Sequence, residues 1–182
     1  MYSIPSYRVT LVKDSSVKIE TRPQIRSSCE VYQIMRHYFS GTDRESFYVI
    51  MLNAKNRIIG VNCVSVGSAT SSLVHPRETF KPVVAYNDIL AAQGEKTLEQ
   101  LTEEERKEIY AKVAKDIVRH SCVAIILSHN HPSGDPTPSA EDLSITRRLR
   151  EVGEVMGVRV LDHIIVGEGR FVSFVDDGYW DK

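Results

Sequence analysis

No run of apolar residues approaches the roughly 20 needed to cross a bilayer as a helix, so no membrane span is expected. The opening residues, Met1 to Tyr7, lack the basic start and apolar centre of a secretory leader, and a cytoplasmic location is the expectation. Cysteine is scarce. Cys29, Cys63 and Cys122 are odd in number, widely spaced and free of any CxxC, which excludes a disulfide framework and predicts reduced, mostly buried thiols. Neither sign of charge dominates: the formal net charge is −1, with no global pull toward nucleic acid or an anionic membrane. Repeats, low-complexity tracts and a clear interdomain linker are also missing. What is present is ordinary for one globular domain: 182 residues, 42% apolar and 26% charged, enough chain to bury a real core.

Hydrophobic periodicity divides the chain into short strands and helices. Residues 1–25 read as an N-terminal extension, with strands over 8–12 and 17–20 pairing as a hairpin around Asp14-Ser-Ser16. A helix is predicted over 27–38 from its serine start and the stripe Val31, Ile34, Met35, Tyr38. Strands are predicted over 47–52 and 57–66, joined by a turn at 53–56, and a helix over 76–92 opens on Pro76. Residues 93–120 form a charged segment. There Thr102 and Glu105 make a capping box, and Ile109, Val113 and Ile117 give one apolar stripe. A last helix over 141–156 and strands over 158–166 and 171–175 follow. Strands interleaved with helices predict an α/β (α+β) fold with a sheet covered on its faces.

The densest chemistry lies at 122–142. The apolar run Cys122 to Leu127 is a buried strand leading into His129-Asn130-His131, so both imidazoles share one face while Asn130 points to the other. The Pro/Gly-rich stretch 132–138 turns the chain, and Ser139 and Asp142 open the next helix. His129, His131 and Asp142 can therefore converge. Three protein ligands with a fourth position open to water is what a catalytic zinc ion requires, and one Zn2+ per chain is expected.

The spacing His-x-His, seven residues, Ser, two residues, Asp resembles the JAMM signature of MPN/JAB metalloproteases. The strings at 74–80, 128–139, 145–149 and 161–166 narrow the resemblance to the RadC-like branch, over roughly Arg26 to Phe174. The resemblance implies a domain over 26–182 with a central mixed sheet flanked by helices, in the layered architecture also seen in cytidine deaminases. The charged stretch 93–120 then looks like an insertion, either a helix laid on the surface or a lid or oligomer contact.

The resemblance further implies a zinc-dependent hydrolase that attacks a peptide or isopeptide carbonyl, with a peptide or protein as substrate. Glu45 is the implied general base, because the family's glutamate sits just before the first core strand; Glu78 in Pro76-Arg77-Glu78 is its rival. Ser139 has two competing jobs: an N-cap fixing the helix of Asp142, and, by resemblance, a stabiliser of the oxyanion. Asp135 between Gly134 and Pro136 reads as an Asx turn rather than a ligand. Asp162 and His163 read as a structural pair or as partners orienting a metal-bound histidine. His37, His75 and His120 lack ligand spacing.

Other zinc chemistries fail on their letters: a deaminase needs His-x-Glu with Pro-Cys-x-x-Cys, and a zincin needs His-Glu-x-x-His. The alternative reading is a nucleic-acid-associated accessory protein with a structural or vestigial site, since RadC-like proteins carry a DNA-repair label. Against it, Glu151 and Glu154 offset Arg147, Arg148 and Arg150, which read as a solvated face, and the residues before Arg26 leave no room for the family's helix-hairpin-helix region.

Overall fold

A β-strand turns alternate side chains to opposite faces, and the apolar alternation of this chain dresses both faces of one sheet. The computed structural model describes residues 24–67, 74–99 and 121–181. Its elements are α1 (Ser28–Tyr38), β1 (Ser46–Leu52), β2 (Ile58–Val66), α2 (Pro76–Glu99), β3 (Ala124–Asn130), α3 (Ala140–Met156), β4 (Arg159–Val166) and β5 (Phe171–Ser173). The five strands run in the order β2-β1-β3-β4-β5. β3 and β4 are parallel, joined by a crossover through α3; the other neighbouring pairs are antiparallel. The result is the expected mixed sheet flanked by helices.

Two apolar clusters fill the layers. Val31 and Met35 of α1 pack with Ile50, Leu52, Ala124, Ile126, Ile164 and Val166 on one face. Phe80 and Val83 of α2 and Leu149 of α3 pack with Phe47, Val49, Met51, Ile125 and Leu127 on the other. Burying a side chain of this size contributes about 1.5–3 kcal/mol, so β3, buried at every position, anchors both layers.

Local chemistry sets the element ends. Ser27 caps α1 by accepting the Glu30 N–H. The β1–β2 turn is held by Asn53, whose Oδ1 accepts the N–H groups of Lys55 and Arg57, each at 3.0 Å, while Asn56 takes a positive φ of 53°. The last strand is shorter than the sequence predicts. Ser173 N–H donates to Asp177 Oδ2 at 2.8 Å and the Ser173 carbonyl accepts Asp177 N–H at 3.0 Å, a turn that ends the strand after Ser173.

The 8–12 and 17–20 hairpin, and most of 93–120, lie outside the described residues; α2 itself runs past the predicted end to Glu99. Two cysteine expectations need correction: Cys29 and Cys63 are exposed, and only Cys122 is buried. No helix among the described residues is long and apolar enough to cross a membrane.

Candidate metal centre

Parallel strands in a covered sheet leave a crevice beyond their carboxyl ends, where such folds hold ligands. The penultimate residue of β3 there is His129, fully buried on the α2/α3 face. One residue past the strand, His131 N–H donates to the Val166 carbonyl at 2.9 Å, extending the pairing with β4 and returning the second imidazole to the same side. The loop then folds back through Gly134, whose N–H donates to the His131 carbonyl and whose carbonyl accepts Glu168 N–H, both at 2.9 Å. A Cβ on Gly167 would lie 2.4 Å from the Gly134 carbonyl, so the loop docks at a spot that only glycine permits.

The loop delivers the start of α3. Ser139 is the N-cap: its Oγ accepts Asp142 N–H at 3.1 Å, and the Asp142 carboxylate accepts Ser139 N–H at 2.8 Å, a reciprocal capping box. This cap turns the Asp142 carboxylate toward the strand ends. Its Oδ1 lies 3.2 Å from His129 Nε2 and its Oδ2 lies 3.5 Å from His131 Nε2, while the two Nε2 atoms are 3.0 Å apart.

One donor atom from each of the three residues lies within 4.8 Å of the other two. A tetrahedral zinc site with bonds near 2.0–2.1 Å has edges of roughly 3.3 Å, so the closest contacts already approach the required spacing. The remaining ring nitrogens point away. His131 Nδ1 donates to the Asp135 carbonyl at 2.7 Å, which leaves Nε2 for the site, and His129 Nδ1 lies 2.8 Å from His163 Nε2. Two imidazole Nε2 atoms and a carboxylate facing one point form a donor set that fits a divalent cation.

The charges hold one another. Burial pushes the Asp142 carboxyl up, but hydrogen bonds from His129, His131 and Ser139 outweigh it and hold the group well below the ordinary carboxylate range. The Asp142 hydrogen bond raises His131 against its partial burial, helped by the Asp135 carbonyl and the charges of Asp142 and Glu45. Burial holds His163 well below its ordinary value, so its ring is neutral.

The sequence model of the RadC-like JAB domain matches residues 25–91 and 95–179. The chain belongs to this family. It is similar to UPF0758 proteins from Moorella thermoacetica (42% identical over 153 residues, 84% of this chain and 52% of the relative). A relative from Geobacter sulfurreducens is 44% identical over 149 residues, 82% of this chain and 50% of the relative. Another, from Geotalea uraniireducens, is 40% identical over 161 residues, 88% of this chain and 56% of the relative. The chain spans about half the length of these relatives.

The structure of this RadC-like JAB domain also sorts the remaining candidates. Glu45, half-buried, directly precedes β1, whose Phe47 pairs with His129, and its charge acts on the His131 ring. Glu78 instead lies in the first turn of α2, beside Arg77 at 3.6 Å and Lys81 at 3.7 Å, with its side chain half exposed. Asp162 does not bond the His163 ring. Its carboxylate accepts from Ser173 Oγ at 2.7 Å and from the N–H groups of His163 and Val175, tying β4 to the chain after β5. Asp135 makes the expected Asx turn, accepting Thr137 N–H at 3.2 Å. His75 serves the start of α2 by accepting Arg77 N–H at 3.1 Å. Arg147 and Arg148 are exposed as expected, but Arg150 is not simply solvated: its guanidinium stacks 4.2 Å over the Trp180 ring.

Two residues that sequence reasoning did not single out hold the site together. Asn130, on the opposite face of β3 from His129, accepts Ser46 N–H at 2.8 Å and donates to the Arg44 carbonyl at 3.1 Å, pinning the backbone on either side of Glu45. Thr146, one turn after Asp142 on α3, lies 2.6 Å from His163 Nδ1 and 2.6 Å from the Asp142 carbonyl. Both are buried polar side chains, and a buried polar residue beside a ligand motif is the one signal that could have found them.

Proposed function

We propose that this domain is a zinc-dependent metallopeptidase-like hydrolase that cleaves a peptide or isopeptide bond. The observation that carries the reading is the convergence of His129, His131 and Asp142, one donor atom each within 4.8 Å, at the carboxyl end of a parallel strand pair. These three residues would hold the ion. When bound, zinc supplies Lewis acidity toward a carbonyl and brings the pKa of a water to about 7 from about 15.7.

The chain's own groups supply the rest. Glu45, whose charge acts on the His131 ring, takes the proton of the attacking water and returns it to the leaving amine. Ser139 fixes Asp142, because its hydroxyl donates to Asp142 Oδ2 at 2.7 Å. To stabilise an oxyanion as well, that hydroxyl rotates away from Asp142, so its two jobs are sequential. A cleft of about 490 Å³ on the α1 side, lined by Tyr32, Arg36, Asn130 and Glu168, reaches His131, the one of the three donors that lines it.

Metal analysis of the purified chain tests this directly. One zinc per chain is expected, lost in His129→Ala and Asp142→Ala. Zinc-loaded protein should cleave members of a peptide and isopeptide library, read by mass spectrometry. A chain that holds no zinc, and whose Tm is unchanged by added zinc, would falsify the reading.

A further inference from the structure

Metal-bound histidines ordinarily donate their second ring N–H to a carboxylate, a backbone carbonyl or water. His131 follows that rule through the Asp135 carbonyl. His129 does not, because its Nδ1 meets another imidazole, Nε2 of His163, at 2.8 Å. An imidazole pair leaves the direction of the hydrogen bond open, since either ring can be the donor. Something else must set it.

The chain beyond His163 does so. A carbonyl oxygen only accepts, so the 2.6 Å contact from Thr146 Oγ1 to the Asp142 carbonyl uses the single hydroxyl proton of Thr146. The same oxygen can then only accept from His163 Nδ1, 2.6 Å away, so that nitrogen carries the proton. A neutral His163 then has a bare Nε2, which accepts from His129 Nδ1–H. With its proton fixed on Nδ1, a neutral His129 ring has its lone pair on Nε2, the atom 3.2 Å from Asp142 Oδ1 and 3.0 Å from His131 Nε2. Every polarity follows from the one before it.

We propose that Thr146 and His163 are positioning residues that fix the tautomer of His129 and thereby present its Nε2 lone pair to the metal. The chain starts on the backbone of Asp142 and ends beside that residue's carboxylate, so it closes a ring through two of the three donors. His129 and His163 are both 0% exposed, and no bulk water competes for their ring nitrogens. The proton placement is not the intrinsic preference of histidine, which favours Nε2–H in free solution, so the wiring must be imposed by Thr146. The inference rests on the zinc reading for its purpose, while the tautomers themselves are a property of the chain.

Two measurements decide it. Nitrogen-15 NMR of the histidine rings in metal-free wild-type protein should show Nδ1–H with a bare Nε2 at His163, and a proton on Nδ1 of His129. A proton on His163 Nε2 overturns the proposal, whether or not the protein binds zinc. Competition with a zinc chelator of known affinity should show Thr146→Val, which keeps the shape and deletes the hydroxyl, weakening zinc binding about 10–100-fold. Thr146→Ser, which restores the hydroxyl, should stay within about threefold of wild type. Unchanged affinity in Thr146→Val also overturns the proposal. Loss of zinc binding in wild type would instead defeat the hydrolase reading, leaving the ring tautomers to be judged by NMR alone; if Thr146→Val fails to fold, the wild-type spectrum still decides.

Discussion

At its carboxyl end β3 presents two faces that differ in what they organise. His129 turns toward α2 and α3, into a set of buried rings and hydroxyls drawn from β4 and α3. Asn130 turns toward α1 and spends its amide on the backbone of Arg44 and Ser46, 86 and 84 residues away in the chain. One face thus addresses side chains that converge on a point, and the other addresses the main chain that carries Glu45. Adjacent residues on one strand position the proposed metal and the proposed base by separate means. Damage to one face should leave the other's task largely intact.

The largest expected effect separates the two tasks outright. Glu45→Gln should retain one zinc per chain while turnover falls about 10²–10⁴-fold, the usual contribution of a positioned general base. An unimpaired variant would move the base elsewhere, with Glu78 the next to substitute. Asn130→Ala comes second. It strips the buried Ser46 N–H of its partner, at a cost of about 1–3 kcal/mol in urea unfolding. Its zinc affinity should change far less than its turnover, and an equal loss in both would collapse the contrast between the faces.

Ser139→Ala should cost about 1 kcal/mol as a lost N-cap. It should also weaken zinc binding, because Asp142 Oδ2 loses a donor at 2.7 Å; a change in stability with zinc affinity untouched would reduce Ser139 to a cap. The smallest effect is expected from Arg147→Ala with Arg148→Ala, both on the exposed side of α3. Stability should stay within about 0.5 kcal/mol of wild type and zinc affinity should not move.

The elements and the site were not equally legible in the sequence. Strands and helices follow from local periodicity, and α1, β1, β2, α3 and β4 lie within a residue or so of their predicted spans. The approach of His129, His131 and Asp142 also follows from local rules, alternation on a strand and a serine cap on a helix. Asn130 and Thr146 were not legible, because their partners are set by sheet register and by how α3 lies across β4. A threonine in a helix reads as an ordinary half-polar position until the neighbouring strand brings His163 Nδ1 to 2.6 Å. Asp162 and His163 show the reverse error. Adjacent in sequence, they face opposite sides of β4, and only one of them touches the site. The exposed Cys29 and Cys63 show that scarcity of a residue type says little about its burial.

The three donors, with His163 and Thr146, all fall between residues 129 and 163, within a single strand-helix-strand crossover. Glu45 arrives from the far side of an antiparallel neighbour. On the proposed function, the capacity to hold an ion is therefore encoded in one contiguous module, while the proposed turnover depends on a segment that module does not contain. A change confined to the stretch ahead of β1 is then expected to silence the proposed chemistry and leave the proposed ion site in place.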